Sequence, residues 1–333
     1  MSAARSHSKG LRVKALVTGA AGFIGSTLAA ALTARGTEVI GLDCFTDYYA
    51  RDIKESNLAP LRQRPGFSFV EDTLQHVSLD RILGGVTHVF HLSAQAGVRK
   101  SWGHDFLTYT THNVDATQRL LEAVKDRALE RFVYASSSSV YGDAVAIPMR
   151  EDAMVRPLSP YGVTKLAAEH LCLLYTANYA LPTVSLRFFT VYGPKQRPDM
   201  GFHRFLRAAL TGQPITLYGD GEQTRDFTYV DDIVAALIAA GEQGRSGGVY
   251  NIGGGSRVSI NQVLALVERV TGCAIEVRHE PAQKGDMRDT FADTARAKAE
   301  LGFAPSTSLE RGLRAEAEWL AAMLNTPLRP PIQ

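Results

Sequence analysis

The stretch Leu11-Arg12-Val13-Lys14-Ala15-Leu16-Val17-Thr18, followed by Gly19-Ala20-Ala21-Gly22-Phe23-Ile24-Gly25, decides how the rest of the chain is read. The apolar run, rich in Val and Leu, predicts a strand closed by Gly19. From Gly22 the spacing becomes helical through Arg35 and stops at Gly36. The unit then recurs: Glu38 to Asp43, Phe67 to Val70, Thr87 to Leu92, Arg131 to Ala135 and Thr183 to Phe189 read as strands, with helical stretches such as Asp105 to Arg127 and Tyr161 to Tyr179 between several of them. Apolar strands alternating with amphipathic helices predict a doubly wound α/β fold, a parallel sheet covered on both faces. Beyond Tyr192, Gly193-Pro194, Arg197-Pro198, Gly212-Gln213-Pro214 and Gly219-Asp220-Gly221 interrupt short elements, which predicts a smaller C-terminal α/β lobe. Tyr229 to about Ala240 and Val249 to Ile252 read as a helix and strand that return to the main sheet. The expected division is therefore 11–190 plus about 228–256 for the main domain, and about 191–227 plus 257–326 for the lobe. Ser259 to Thr271, Asp293 to Leu301 and Leu309 to Leu324 read as helices of that lobe, and 1–10 and 327–333 as tails.

The 333 residues are 45% apolar and 21% charged, enough to bury a large core. Thirty-six Lys plus Arg against 34 Asp plus Glu leave a net charge of +2, so no general electrostatic pull toward nucleic acid or an anionic membrane is expected. No apolar run approaches the ~18 residues of a membrane span, and the polar opening carries no secretory core. Cys44, Cys172 and Cys273 stand singly without a CxxC, as expected of a reduced cytoplasmic protein. The nine histidines form no metal constellation; His88 and His91 read as packing or surface residues, and no metal is expected.

Gly19, Gly22 and Gly25 stand where a strand meets a helix, the arrangement that brings backbone amides close to a pyrophosphate. Asp43 follows Gly25 by 18 residues, at the end of the second strand. There it can accept hydrogen bonds from both ribose hydroxyls and would repel a 2′-phosphate, which favours NAD over NADP. Arg51 and Lys54, read as lying in the next loop, leave NADP open. Asp72, ending the third strand, is placed to meet the adenine edge or to stand in solvent.

Tyr161-Gly162-Val163-Thr164-Lys165 sets a phenol and an ammonium one helical turn apart on one face. A nearby cation favours phenolate, bringing the tyrosine toward the pH at which it can accept a hydroxyl proton. Upstream, Ser136-Ser137-Ser138-Ser139 ends the fifth strand at the carboxyl edge, where doubly wound sheets bind ligands.

In this order the motifs resemble those of the extended short-chain dehydrogenase/reductases, in the nucleotide-sugar epimerase and dehydratase group. The likeness runs over about residues 11–325 and includes His91-Leu92-Ser93-Ala94-Gln95-Ala96, Ser136 to Gly142 and Leu186 to Pro194. It implies a Rossmann-type fold and an NAD that stays bound through the cycle, touching Gly19, Gly22, Phe23, Ile24, Gly25, Asp43, Asp72, Leu92, Ala94, Tyr161 and Lys165. It implies Tyr161 as general base, Lys165 on the nicotinamide ribose and lowering the tyrosine's pKa, and Ser137 sharing the substrate hydroxyl. It also implies a homodimer through helices Asp105 to Arg127 and Tyr161 to Tyr179.

Family 4,6-dehydratases carry an Asp-Glu pair where this chain has Ser138-Ser139, and the decarboxylases carry a Glu at the Ser139 position. Without those acids, epimerisation at C4 of a UDP-sugar is the remaining reading. Ser139 and Thr190 could donate hydrogen bonds to a sugar carboxylate. Gly193-Pro194-Lys195-Gln196-Arg197-Pro198-Asp199-Met200 and the Cys44 to Tyr49 loop resemble segments of UDP-glucuronate 4-epimerases. UDP-glucuronate is thus the expected substrate, ahead of UDP-glucose, a decarboxylase or dehydratase reaction, and an NAD-binding sensor without catalysis. Arg225 and Arg288 match positions that hold the nucleotide pyrophosphate, although Gln283-Lys284 replaces an Arg found before the Gly285-Asp286 pair in some relatives. Arg99 and Arg197 are candidates for the diphosphate or the carboxylate, and Leu217-Tyr218 matches the strand that receives the base.

Overall fold

The computed structural model describes residues 13–143, 146–281 and 287–329. The expected tail 1–10, the end of the C-terminal tail and Gln283 to Asp286 lie outside them. In chain order the first half runs β1 (Lys14–Thr18), α1 (Phe23–Ala34), β2 (Glu38–Asp43), α2 (Arg51–Arg62), β3 (Phe67–Glu71), α3 (Leu79–Ile82), β4 (His88–His91), α4 (Phe106–Tyr109), α5 (Ala116–Val124), β5 (Arg131–Ser137), α6 (Pro160–Tyr179) and β6 (Thr183–Phe188). The second half runs β7 (Thr190–Tyr192), α7 (Gly201–Thr211), β8 (Ile215–Tyr218), β9 (Thr224–Tyr229), α8 (Val230–Gln243), β10 (Gly248–Ile252), β11 (Arg257–Ser259), α9 (Ile260–Thr271), β12 (Val277–Glu280), α10 (Ala295–Leu301) and α11 (Leu309–Leu324).

Seven strands form one sheet in the order β3-β2-β1-β4-β5-β6-β10, every neighbouring pair parallel. Strand alternation sends successive side chains to opposite faces. Ala15, Val17, Phe90, Val133 and Ala135 enter one cluster under α1 and α8, and Leu16, Val89, Phe132 and Tyr134 enter another under α5 and α6. This is the doubly wound Rossmann-type sheet the sequence predicts. A third cluster joins α7, α9 and α11 to β8 and β9, beside a three-stranded sheet β11-β9-β7 and the parallel pair β12-β8.

Three expectations need correction. Arg51 and Lys54 lie in α2, not in a loop; half of that helix's buried face is polar, Lys54 and Asn57 beside Leu58 and Leu61, so its apolar period is faint. The Asp105 to Arg127 helix is broken by a π-helical segment, Thr110–Asp115, between α4 and α5. And α10, expected in the lobe, gives Ala297 and Leu301 to the core of the main sheet, together with Phe303 just after it.

Behind β5 a charged network is fully buried. Arg187 holds Glu169 with two bonds, Nη2 to Oε1 at 2.6 Å and Nε to Oε2 at 3.1 Å, and the Ser136 hydroxyl donates to Oε2 at 2.6 Å. Arg187 Nη1 also donates to the Tyr141 hydroxyl, which donates to Asn251 Oδ1 on β10. Removing one partner of such a pair strands the other charge. Glu169→Ala is therefore expected to cost ~3–5 kcal/mol of stability, read from denaturant unfolding, and a loss below ~1 kcal/mol would contradict this account.

Candidate active site

The order of strand addition reverses between β1 and β4, so the loops after these two strands part and open a cleft, the place where doubly wound sheets take ligands. Gly19 turns at φ +73°, and a Cβ on Gly25 would lie 2.1 Å from the Gly19 carbonyl oxygen, so only glycine lets α1 begin this close to β1. Gly22 caps α1 with no side chain, and no acidic residue stands in the first turn. The amides of Phe23 to Gly25, which have no intrahelical partner, are thus left at the positive end of the helix dipole. Every residue assigned to the cofactor lines this one cleft, from Asp43 and Asp72 at one end to Tyr161 and Lys165 at the other. The Ser93 hydroxyl, also on its wall, is buried and has no hydrogen-bond partner among the described residues. Free first-turn amides and an orphaned hydroxyl fit a bound dinucleotide. Asp43 is fixed from two sides, accepting from Ala21 N at 3.1 Å and Phe45 N at 2.9 Å. Arg51, which left a 2′-phosphate open, is held by both Glu71 oxygens at 2.8 Å and does not line the cleft. Lys54 does line it, with Nζ donating to Thr46 O at 2.9 Å.

A buried relay ties the two sides of the cleft together. Thr18 Oγ1 accepts from Leu92 N and Ser93 N, both at 3.1 Å, so its own hydrogen goes to His91 Nδ1 at 2.8 Å. Burial pushes the His91 pKa down to about 3; the ring is neutral and carries its proton on Nε2, which donates to Thr117 Oγ1 at 2.9 Å. Thr117 donates to Asn113 O, in the π segment. The Asn113 side chain accepts from Gln95 N at 2.7 Å and donates to Gln95 O and to Thr164 Oγ1, and Thr164 donates to Tyr161 O. His88 and His91 are both buried, so His91 is a positioning group and neither is a surface residue. Sequence reasoning missed this frame, because Asn113 sits in a π turn that breaks helical spacing.

Helix α6 begins just before Tyr161: Ser159 Oγ accepts from Gly162 N at 3.1 Å, and Pro160 fills the first turn. Gly162 is needed because the Ser139 carbonyl oxygen lies 2.5 Å from where a Cβ would stand. The Tyr109 ring packs edge-on to Tyr161 at 6.2 Å, its hydroxyl donating to Ala96 O and Gly97 O. The electrostatics differ from expectation. Burial pushes the Tyr161 phenol above its ordinary range, and its interactions with Ser137 and Arg197, rather than with Lys165, act in the opposite direction. Lys165 is 4% exposed, and burial lowers its pKa to about 7 while its Nζ lies 4.5 Å from the centre of the Tyr134 ring.

A second cleft, reached past Tyr48, collects Arg99, Thr190, Leu217, Tyr218 and Arg225. Arg99 stands 4.5 Å from the centre of the Tyr218 ring. Ser137 Oγ accepts from Ser139 N at 3.1 Å in a turn of 3-10 helix, Ser138–Val140; Ser137, Ser138 and Ser139 lie beside the clefts and not on their lining. Arg197 lines the first cleft with Tyr161. Arg288 lines neither: its fork is held by Asp220 at 2.9 and 3.0 Å, while its carbonyl accepts from Arg225.

A glycine-bounded dinucleotide cleft ending at a tyrosine and lysine one turn apart defines an enzyme that oxidises and reduces a hydroxyl-bearing carbon. The chain belongs to the NAD dependent epimerase/dehydratase family, whose model matches residues 15–253. It is similar to a Bacillus subtilis (strain 168) protein named uncharacterized UDP-glucose epimerase YtcB, 44% identical over 93% of this chain and 99% of that one. It is similar also to the UDP-glucuronate 4-epimerase of Thermodesulfobacterium geofontis (strain OPF15), 38% identical over 91% of this chain and 95% of that one. Among solved structures, the UDP-glucuronic acid 4-epimerase from Bacillus cereus, in complex with UDP-glucuronic acid and NAD, superposes with a TM-score of 0.91 at 42% identity, covering 93% of this chain and all of that one.

The Lys165 shift has a sign that can be checked. Between about 7 and 10.5 the unfolded chain keeps this lysine's proton while the folded, cofactor-free chain releases it. Stability of the wild type relative to Lys165→Met should therefore rise from pH 7 to pH 9; denaturant unfolding at several pH values measures it, and a falling difference would contradict the shift.

Proposed function

We propose that this chain is an NAD-dependent 4-epimerase interconverting UDP-glucuronate and UDP-galacturonate. The observation that carries the reading is the sugar end of the cleft. Arg197 shares the cleft lining with Tyr161, where a sugar carboxylate needs a donor, and the turn beside the cleft carries Ser138 and Ser139 at the positions where elimination or decarboxylation would need an acid. NAD, when bound, supplies the oxidation and the re-reduction at C4. Tyr161 Oη, as the phenolate that Ser137 and Arg197 favour against burial, takes the C4 hydroxyl proton as the carbonyl forms and returns it after the 4-keto sugar has turned over, while Ser137 shares that hydroxyl and Lys165 holds the nicotinamide ribose. The glycine-loop amides hold the dinucleotide pyrophosphate, Asp43 its adenosine ribose and Asp72 the adenine edge. Arg99 and Arg225 in the second cleft hold the UDP diphosphate against Leu217 and Tyr218, with Arg288 at its rim. The ligands named for the Bacillus cereus structure support this assignment.

We further propose a homodimer. Leu107 on α4 and Val163 and Leu174 on α6 are exposed apolar residues on packed neighbouring helices, a face suited to a second copy. No helix among the described residues is long and apolar enough to cross a membrane. The three free cysteines support the proposal of a reducing, cytoplasmic place.

The test is incubation of the purified protein, without added cofactor, with UDP-glucuronate and separately with UDP-glucose, products identified by NMR of the anomeric and C4 protons. UDP-galacturonate is expected. Conversion of UDP-glucose alone would replace the reading with the one that the name of the Bacillus subtilis relative suggests. In the same assay Tyr161→Phe should retain bound NAD, measured by absorbance after denaturation, and lose at least ~100-fold in turnover; normal turnover would remove the base assignment.

A further inference from the structure

The border between the two clefts is crossed by an ion pair whose acidic member the proposed chemistry does not use. Arg197 binds Asp199 through two parallel bonds, Nε to Oδ1 and Nη2 to Oδ2, each 3.0 Å. Tyr48 adds a third, its hydroxyl donating to Oδ2 at 3.2 Å. Arg197 faces the cleft of Tyr161, Asp199 faces the cleft of Thr190, and Tyr48 lines both. A sugar held by its nucleotide in the second cleft must pass this point to bring C4 to Tyr161.

We propose that Asp199 is a built-in stand-in for the substrate carboxylate. It occupies the Arg197 fork in the sugar-free protein and yields it to a uronate, so that Asp199 holds down the preference for a uronate over a neutral hexose that the fork creates. The proposal rests on the reading of the substrate as a UDP-uronate. A guanidinium with only 23% of its side chain exposed needs an anion when no sugar is present, and the fork accepts carboxylates two oxygens at a time. Asp199 is placed to leave. Its side chain is 33% exposed, so its charge can return to water, and Lys100, 5.1 Å from the centre of the Tyr48 ring, offers a cation on the same cleft wall. The exchange conserves the salt bridge, one carboxylate for another. A hexose hydroxymethyl group offers no charge and one oxygen, so it leaves the Asp199 pair in place and gains nothing from Arg197.

The experiment measures binding by calorimetry in the Tyr161→Phe holoenzyme, where turnover is blocked, with UDP-glucuronate and UDP-glucose as ligands. Asp199→Asn removes the competitor. UDP-glucuronate should bind about tenfold tighter, with UDP-glucose changed less than about twofold. Weaker UDP-glucuronate binding would show that Asp199 only aims Arg197; no change, or the same change for both ligands, would equally overturn the proposal. Tyr48→Phe keeps the ion pair and removes the bond that steadies Asp199, so a smaller tightening, about twofold and again for the uronate alone, is expected. If Asp199→Asn does not fold, that variant decides. A parent that prefers UDP-glucose would overturn the uronate reading and this proposal together, whereas a parent that prefers UDP-glucuronate, with variants that fail to tighten it, would overturn this proposal alone.

Discussion

The hydrogen bond from Thr18 to His91 is the constraint on which the rest of the site depends. It spans the point where the strand order reverses, between the last residues of β1 and β4. Because Thr18 already accepts two amides from the loop after β4, the bond has one direction only, and that direction fixes the proton on the far nitrogen of His91. From there donation passes through Thr117 to the carbonyl of Asn113, whose side-chain amide, oriented by the backbone of Gln95, donates to Thr164, which donates to the carbonyl of Tyr161. The glycine loop, the loop over the cofactor cleft and the start of α6 are thus one rigid frame. A neutral, fully buried imidazole serves this purpose better than a charged one, since desolvation opposes any second proton.

The opposite wall is built on charge. Glu169 and Arg187 are buried as a bidentate pair, and the carboxylate also takes the hydroxyl of Ser136, the residue before Ser137. Glu169 stands one turn beyond Lys165 on α6 and acts on its ammonium in the direction opposed to burial. Through Tyr141 and Asn251 the same network reaches β10, the edge strand laid down after the chain has left the sheet and returned. The serine turn therefore rests on three strands and a helix at once.

The parts of this architecture that could be read from the sequence are those where one residue type meets one local need. The glycines of the first turn, Asp43 at a strand end, and the tyrosine and lysine one turn apart occupy a single cleft, and α11 spans Leu309–Leu324 as its apolar spacing predicts. The exposed Arg288, bound to Asp220, shows that order along the chain does not say which side chains line the ligand space. The rest depends on partners distant in sequence. The helix α2 hides its period behind a buried lysine and asparagine, the π segment is visible only through the bonds Asn113 makes across 18 residues, and the upward shift of the Tyr161 phenol comes from burial that spacing cannot report.

The placement of α10 has a consequence for how the chain comes to be folded. Ala297, Leu301 and Phe303 complete the cluster whose first members are Ala15 and Val17, yet the whole of β11, α9 and β12 is made between β10 and these residues. During synthesis one face of the large sheet would thus stay open at its β10 edge until the chain through Phe303 has left the ribosome. Truncation ahead of Ala297 would then remove part of the main core along with the lobe.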